Sequence, residues 1–303
     1  MLFGIIAMIL VGLSWIILGV VMGRAPKLKL SVSTLMLVGS LGVFIGYFIY
    51  ALFTHGFDSP ASALLMVALI CTIEGIANYL QLEFMSRAMQ HGPNGVIWSV
   101  VQSAFIFPVL MSILFFGETK SVLNYIGLLS ILGSLFMFGC LKDNSASGPW
   151  RMLMLFSFIS TGVTQCSSIF LSYYPSLAAV SSSFKVAVFF LVMGLCGLLL
   201  KAKQSRSLMK ELLADVKVRG FWTHCVAMYL PFGTVNAILL YPGMNSLERA
   251  NAGVLAFPLM ICSCIIGFQV VAILFLKEKC TPLQWVALAL CLSGIIAFCI
   301  PAS

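Results

Sequence analysis

Charge is what this 303-residue chain has least of, because Asp, Glu, Lys and Arg together make up 9% of it. Soluble proteins carry about 25%. Hydrophobic residues make up 61%, and the mean hydropathy is +1.09. These proportions exclude an ordinary water-soluble protein. A spanning helix takes about 20 apolar residues and each connection about ten more, so the chain has room for roughly ten membrane spans and no large domain outside them.

Several sequence motifs of enzymes and nucleotide-binding proteins are also missing. Neither a G-x-x-x-x-G-K-[ST] loop nor a G-x-G-x-x-G turn occurs, so ATP is not expected as the direct energy source. H-E-x-x-H and G-x-S-x-G are absent as well, which disfavours an enzyme. The ten cysteines lie mostly in apolar runs without metal-site spacing. We therefore predict small packing residues, with no disulfide framework, metal or cofactor.

Basic residues exceed acidic ones, seventeen to nine, which gives a net charge of +8. They are not interleaved with aromatic residues as in a nucleic-acid-binding surface, so nucleic acid is not an expected partner. Fourteen of them fall in odd-numbered connections between the predicted spans, and only Lys120 and Arg249 fall in even-numbered ones. By the positive-inside rule, the odd connections are predicted to be cytoplasmic and both termini outside, as in a bacterial inner (plasma) membrane.

Apolar runs separated by polar residues, glycine or proline predict the individual spans. They cover residues 2–22, 31–53, 62–88, 95–116, 122–140, 150–172, 178–200, 219–242, 253–276 and 281–301. No basic segment precedes the first run, whereas Arg24, Lys27 and Lys29 follow it. This order predicts a first spanning helix and not a signal peptide. Gly19-xxx-Gly23 and Gly42-xxx-Gly46 predict close helix packing.

The two halves of the chain resemble each other. EGIANYLQLE (74–83) and FGTVNAILLY (232–241) keep Gly-x-x-Asn in register, and ILFFGETKSVLNYIGLL (113–129) corresponds to ILFLKEKCTPLQWVALA (273–289). Each half holds five spans, an odd number, so the copies must cross the membrane in opposite orientations. The prediction is two units, residues 1–145 and 146–303, forming the inverted repeat of many secondary transporters.

In both repeats the fourth span ends in an apolar run plus Glu, FFGE at Phe115 and FLKE at Phe275, and a glycine-bearing helix follows. With ten spans in two five-helix repeats, this pattern resembles the drug/metabolite transporter superfamily, EamA-type branch, over essentially the whole chain. The resemblance implies an all-α integral membrane protein that moves a small molecule. The repeats have diverged, since Phe232 stands where the first repeat has Glu74, which leaves symmetric proton coupling open.

Glu74 is the one acid predicted near the bilayer centre, about 12 residues into the third span. A carboxylate there costs at least about 2.5–3.5 kcal/mol unless it is paired, hydrated or protonated. Two functional roles fit: a proton carrier, since desolvation favours the neutral acid, or a counter-charge for a cationic substrate. A protonated carboxyl group satisfied by a neighbouring helix is the structural alternative.

Other polar and aromatic side chains are predicted to line a midplane cavity with Glu74. Asn78 and Gln81 follow it on the same helix face, and Asn236 is the matching amide of the second repeat. Trp15 offers a ring to a cation. The predicted substrate-binding set is Ser14, Trp15, Glu74, Asn78, Gln81, Trp98, Gln102, Thr164, Gln165 and Asn236. Interhelical hydrogen bonding is an equally good explanation for each amide.

Three further residues lie inside predicted spans. Lys185 is accounted for by snorkelling to the headgroups, and a pair with Glu74 is the alternative. Pro108 and Pro258 each remove a backbone hydrogen bond and are candidate hinges for alternating access, although static packing around a bend fits equally well.

The sequence therefore predicts a secondary transporter of small polar metabolites or drugs that works by alternating access. Amine-bearing substrates such as amino acids or quaternary amines are favoured, because the deep charge is acidic. A proton or another ion as coupling partner stays open. An integral-membrane enzyme acting on lipid and a non-transporting receptor or assembly subunit are the alternatives.

Overall fold

The computed structural model describes residues 1–115, 121–140, 149–205, 207–250, 252–277 and 281–299, which are helical with short connections and no strand. The α-helices are α1 (Leu2–Arg24), α2 (Val32–Phe53), α3 (Ala61–Met89), α4 (Asn94–Gln102), α5 (Ile106–Phe115), α6 (Val122–Cys140), α7 (Trp150–Tyr173), α8 (Pro175–Ala178), α9 (Ser182–Gln204), α10 (Leu208–Asp215), α11 (Phe221–Val235), α12 (Tyr241–Glu248), α13 (Ala256–Leu274) and α14 (Pro282–Cys299). The predicted all-α class is confirmed.

Eight helical segments are long and apolar enough to cross a membrane. They are α1, α2, α3, α7, α9, α13, the α4–α5 segment Asn94–Met111 and the α11–α12 segment Phe221–Glu248. Helices α6 and α14 are apolar, but their described apolar stretches, Val122–Ser134 and Pro282–Ala297, are shorter. The seventh predicted span starts later than expected. The hydroxyl of Ser181 accepts a hydrogen bond from the Ser183 N–H and caps α9 there.

The long helices expose apolar side chains and bury polar ones. On α3 the exposed large residues recur every three or four positions: Leu65, Leu69, Ile73, Ile76 and Leu80. The same helix buries Glu74, Asn78 and Gln81. A water-soluble helix shows the reverse pattern. The surface is thus compatible with a multi-pass membrane protein.

Glycines lie on two kinds of helix surface, one tightly packed and one open. Gly12 packs on the Met260 backbone and Gly19 on the Phe268 ring, so α1 and α13 run parallel with no room for a Cβ at either glycine. Gly42 and Gly46 were predicted to pack in the same way. That prediction is wrong for the described residues: nothing lies within 4 Å of where a Cβ would stand, and both glycines line an open groove beside α11.

Backbone irregularities interrupt the later spans. Pro108 and Pro258 are the third residues of α5 and α13, each of which follows a 3-10 turn, Ser103–Phe105 or Gly253–Leu255. The first turn of a helix has no intrahelical bond to lose at an N–H, so neither proline breaks its helix. Their hinge role stays a prediction. Pro231 lies further inside its helix, in the middle of α11 and shortly before the π-helical turn Asn236–Leu240.

Candidate functional site

A small cavity lies inside the helix bundle, with a volume of about 40 Å³ and several polar side chains in its walls. We call it the central cavity. Its walls come from α1, α3, α4, α7, α9, the π-helical turn and α13. A water needs about 10–15 Å³ of such space, so the cavity has room for about three waters. The cavity is therefore too small for a metabolite in the described conformation.

The structure brings together seven of the ten predicted substrate-binding residues. Trp15, Glu74, Asn78, Gln81, Gln102, Thr164 and Gln165 line the central cavity. Their role in binding stays a prediction.

The other three predicted residues are not placed there. The Ser14 hydroxyl donates to the Val11 carbonyl of its own helix at 2.7 Å. Trp98 stacks on Phe268 with ring centroids 4.8 Å apart, in the packed contact of α4 with α13. The side chain of Asn236 lies outside the described residues, as do Glu118 and Glu278, the acids of the two matching motifs.

Glu74 is the fourteenth of the 29 residues of α3 and is 3% exposed. The Ser168 hydroxyl of α7 donates to its Oε1 at 2.5 Å. Its Oε2 is buried without a hydrogen-bond partner among the described residues. A carboxylate can accept about four hydrogen bonds. The group is therefore held in place by α7 but far from satisfied.

Three amide side chains around Glu74 also have buried polar atoms without hydrogen-bond partners among the described residues. Asn78 Oδ1, Gln102 Oε1 and both amide atoms of Gln165 are buried without a hydrogen-bond partner in the described part of the chain. The Asn78 Nδ2 donates to Gln81 Oε1 at 3.3 Å. Buried polar atoms are paired in at least about 90% of cases, and leaving one unpaired costs about 1–3 kcal/mol. So many around one cavity indicate a place where waters or a polar ligand supply the missing bonds.

Sequence reasoning predicted one α7 hydroxyl, Thr164, but missed two others and the apolar walls. Ser168 and Thr161 line the cavity, as do Leu18, Phe189, Leu240, Phe257 and Met260. The missed hydroxyls had a signal, because Ser or Thr stands at every third or fourth position along one stretch of α7, at 157, 161, 164, 168 and 172. This spacing places them on one helix face, toward α3. The apolar residues had no comparable signal, because the spans contain many like them.

Lys185 is buried inside the protein and does not snorkel. It is the fourth residue of α9 and 1% exposed. Its Nζ donates to the Ala178 carbonyl at 3.4 Å and lies 5.4 Å from the ring centroid of Tyr241. It forms no ion pair with Glu74. Because Phe189, one turn further along α9, lines the cavity, the ammonium lies just beyond the cavity wall.

Metal ligands are not gathered in the described ranges: no three His, Cys, Asp or Glu side chains there are close enough to hold an ion. The seven cysteines whose side chains the structure describes form no disulfide bond.

No protein-family model matches the chain, and no curated protein matches it. Solved structures do match. One, described only as "Crystal structure of protein", superimposes with a TM-score of 0.61 at 18% identity, covering 98% of this chain and 94% of that chain. At this identity the likeness shows the fold alone. The overall helix arrangement has therefore been seen in a crystal.

Proposed function

We propose that this protein is a secondary transporter of small polar metabolites or drugs, with ten spans in two inverted repeats, related to the EamA-type drug/metabolite transporters. The observation that carries the proposal is the closed central cavity, where a buried carboxylate and three amides lack hydrogen-bond partners among the described residues. Expensive polar groups inside a membrane mark substrate and ion pathways.

Helix neighbours support the inverted repeat. In an inverted repeat each of the first five predicted spans corresponds to the span five places later in the chain. When each span is replaced by its counterpart, every main helix contact becomes a contact that is also observed. The α3–α7 contact becomes α11–α1, α1–α13 becomes α7 with α4 and α5, and α3–α9 becomes α11–α2. The contacts α2–α9, α6–α14 and α4–α13 map onto themselves. Two homologous halves related by a twofold axis produce this symmetry.

Helix directions support ten crossings. Helices α3 and α7 run antiparallel, since Gln81 meets Ser157 and Glu74 meets Ser168. Helices α6 and α14 also run antiparallel, since Gly294 lies against the Gly127 carbonyl and Leu290 against Gly133. Spans three and six, and five and ten, must run in opposite directions if the chain crosses at every predicted span. Both termini then lie on the side opposite to the basic connections.

Both repeats contribute to the cavity, as alternating access requires of a site between two moving halves. Glu74 and Gln102 come from the first, Gln165 and Phe257 from the second. Pockets for drug-sized ligands measure about 300–1,000 Å³, so about 40 Å³ fits the closed state between inward- and outward-open ones.

An amine-bearing substrate fits the wall chemistry. Glu74 is the ionisable side chain that lines the cavity, and Trp15 presents an aromatic ring to it. A carboxylate and a ring together suit an ammonium group. Neither the enzyme nor the receptor alternative has an observation of its own in its favour.

Flux through liposomes tests the proposal. Purified protein is reconstituted and screened with labelled amino acids, quaternary amines, nucleosides and sugars. We expect flux of an amine-bearing solute and at least about a tenfold loss on Glu74→Gln, the effect of about 1.4 kcal/mol on the rate-limiting barrier.

Glu83→Gln is the matched control, since Glu83 lies on the same helix at the water boundary, paired with Arg87. It should transport normally. Normal flux with unchanged pH dependence in Glu74→Gln would exclude both the proton-carrier and the counter-charge role. Absence of flux for every solute class would sink the transporter proposal itself.

A further inference from the structure

Helix α10 lies across the end of α9 and does not project away from it. Glu211 and Asp215, one helical turn apart, both approach the ammonium of Lys201, at 3.9 Å and 2.9 Å. A helix that pointed away from α9 would carry one of these carboxylates about 6 Å farther off. Lys201 is in the last turn of α9, and both α9 and the α11–α12 segment that follows α10 are long and apolar enough to span a membrane. Helix α10 therefore lies at the level where two such segments end.

The side of α10 that faces away from Lys201 is apolar. Met209 and Leu213 each stand two residues before one of the acids, which is about 200° around an α-helix, so they lie on the side opposite to the acids. Their side chains are 67% and 50% exposed. We name these two residues, which are four positions apart and adjacent on the helix surface, the α10 stripe.

Positive charge surrounds the stripe. Segment 201–220 contains six basic and two acidic residues, and both acids face Lys201. Four further basic residues of the segment are exposed and form no ion pair with a described residue: Lys203, Lys210, Lys217 and Arg219. The stripe therefore lies in a segment with a large excess of unpaired positive charge.

The surface of an anionic bilayer matches both properties. Helices with apolar side chains on one side and basic residues around them lie in the plane of the membrane interface, and basic residues beside a membrane attract anionic lipid. Trp222, in the first turn of α11, is 58% exposed, which is typical of aromatic residues at the membrane–water boundary. A second copy of this chain would bring the same positive charge to the contact and would be repelled.

We propose that α10 is an amphipathic helix that lies on the bilayer and binds anionic phospholipid, with Met209 and Leu213 between the lipids and Lys210 beside a phosphate. The lipid is on the face of the molecule that holds the odd-numbered, basic connections, which we call the basic face. Asp215 of the same helix accepts a hydrogen bond from Thr34 of α2, so bound lipid would also steady the contact between α9 and α2. This inference depends on the membrane location and not on the proposed transport activity.

Site-specific crosslinking in the full-length protein tests the proposal. A photoreactive benzophenone amino acid replaces Met209 or Leu213, and the protein is irradiated in nanodiscs of equal parts phosphatidylglycerol and phosphatidylcholine. Intact mass spectrometry counts the lipid adducts. We expect adducts at both positions, with phosphatidylglycerol enriched at least about fivefold, the effect of one basic residue near a membrane surface. The same amino acid at Ala214, which is exposed on another side of α10, should give few adducts.

A charge variant distinguishes this surface from general attraction. In the protein labelled at Met209, Lys210→Gln should lower the phosphatidylglycerol enrichment about fivefold. Lys277→Gln is the matched control and should leave the enrichment unchanged, because Lys277 is exposed in another basic connection and is not part of α10. Equal labelling of the two lipids, equal labelling at Ala214, equal effects of the two lysine variants, or crosslinks to a second copy of the chain would each overturn the proposal.

Discussion

Lys185 and Glu74 are two buried ionisable side chains that form no ion pair with each other. Glu74 has one hydrogen bond to a carboxylate that could accept several, and Lys185 has one long bond to the Ala178 carbonyl and the face of Tyr241. Removing a charge from water costs several kcal/mol unless partners repay it. Both residues therefore lower the stability of this conformation, and selection for function explains their presence better than stability does.

Lys185→Met tests this cost. Methionine keeps the length and apolar stem of lysine but carries no charge, so the variant should be more stable by about 1–2 kcal/mol, with Tm higher by about 2–4 °C per kcal/mol. Thermal unfolding in detergent measures the shift. Lys203→Met, at an exposed position near the end of the same helix, should leave Tm unchanged. A lower Tm for Lys185→Met would mean that the ammonium stabilises the fold.

At the residue scale, sequence reasoning succeeded where a residue is rare and expensive. Glu74 could be found because acids are few in this chain and one of them falls in the middle of a span. Ser168 could be found only through the regular spacing of Ser and Thr along α7, since a lone serine costs little in a membrane helix. The packing prediction for Gly42 and Gly46 was wrong because small residues permit close packing but do not ensure that another helix lies against them.

Helix α10 contacts two other helices, α2 and α9. It lies in the polar segment 201–220, and Asp215, its last residue, accepts hydrogen bonds from Thr34 of α2 at 2.5 Å and from Lys201 of α9 at 2.9 Å. Burial raises the pKa of Asp215, but the hydrogen bonds from Lys201 and Thr34 outweigh burial, and the pKa lies below its usual value. The contact joins the two halves of the chain on the basic face.

This contact predicts acid-sensitive stability. A carboxylate whose folded-state pKa is lowered stabilises the fold above its unfolded pKa, about 3.9, and this contribution disappears as pH falls through the folded value. Asp215→Asn should therefore lower stability by about 1–2 kcal/mol near neutral pH. The difference from wild type should shrink below about pH 4 and vanish once the pH is below the lowered pKa of folded Asp215. Tm measured across pH gives both curves.

Asp58→Asn is the control for this pH series, since the ion pair that Asp58 makes among the described residues is with the exposed His55. It should follow the wild-type curve. A pH-independent gap between wild type and Asp215→Asn would show that the contact acts through packing and not through charge.

Elements were predictable to the extent that they are apolar and long. The predicted runs coincide with helices within a few residues, apart from the late start of α9 and the end of the eighth run, which was predicted at residue 242 and continues to Glu248. The π-helical turn after Pro231 was not foreseen, because Pro231 and Pro242 in an apolar run are compatible with either a kink or a helix end. That turn contributes Leu240 to the cavity wall, so an irregularity helps to shape the site.

At the scale of the molecule, the sequence predicts a pairing of two halves, but it does not predict how small the central cavity is. An odd number of spans per repeat forces opposite orientations whatever the side chains do. How far the cavity is open depends on packing of Phe189, Phe257 and Met260 against Glu74 and its neighbours. Such packing is decided by many small contacts that no motif records.

Membrane topology is the last prediction, and two contacts constrain it. Phe57, after α2, packs on Phe184 at the start of α9 with centroids 5.5 Å apart, so those ends lie on one face. Lys201, near the end of α9, reaches Ser31 at the start of α2, which places these ends on the other face. With odd connections cytoplasmic, truncations fused after Thr54 should give active periplasmic alkaline phosphatase, and truncations fused after Gln204 should give fluorescent cytoplasmic protein.

The fusion after Ser303 tests whether the number of membrane crossings is even. With ten spans and an outside N-terminus, the C-terminus must also be outside, and the phosphatase fusion should be active. A fusion after Ala25 serves as the internal reference for the cytoplasmic side, since Arg24, Lys27 and Lys29 make that connection the most directly assigned one. A fluorescent C-terminal fusion beside a correct Ala25 reference would mean an odd number of crossings. The pair of inverted five-span repeats would then be wrong, whereas the eight long apolar helices would stand.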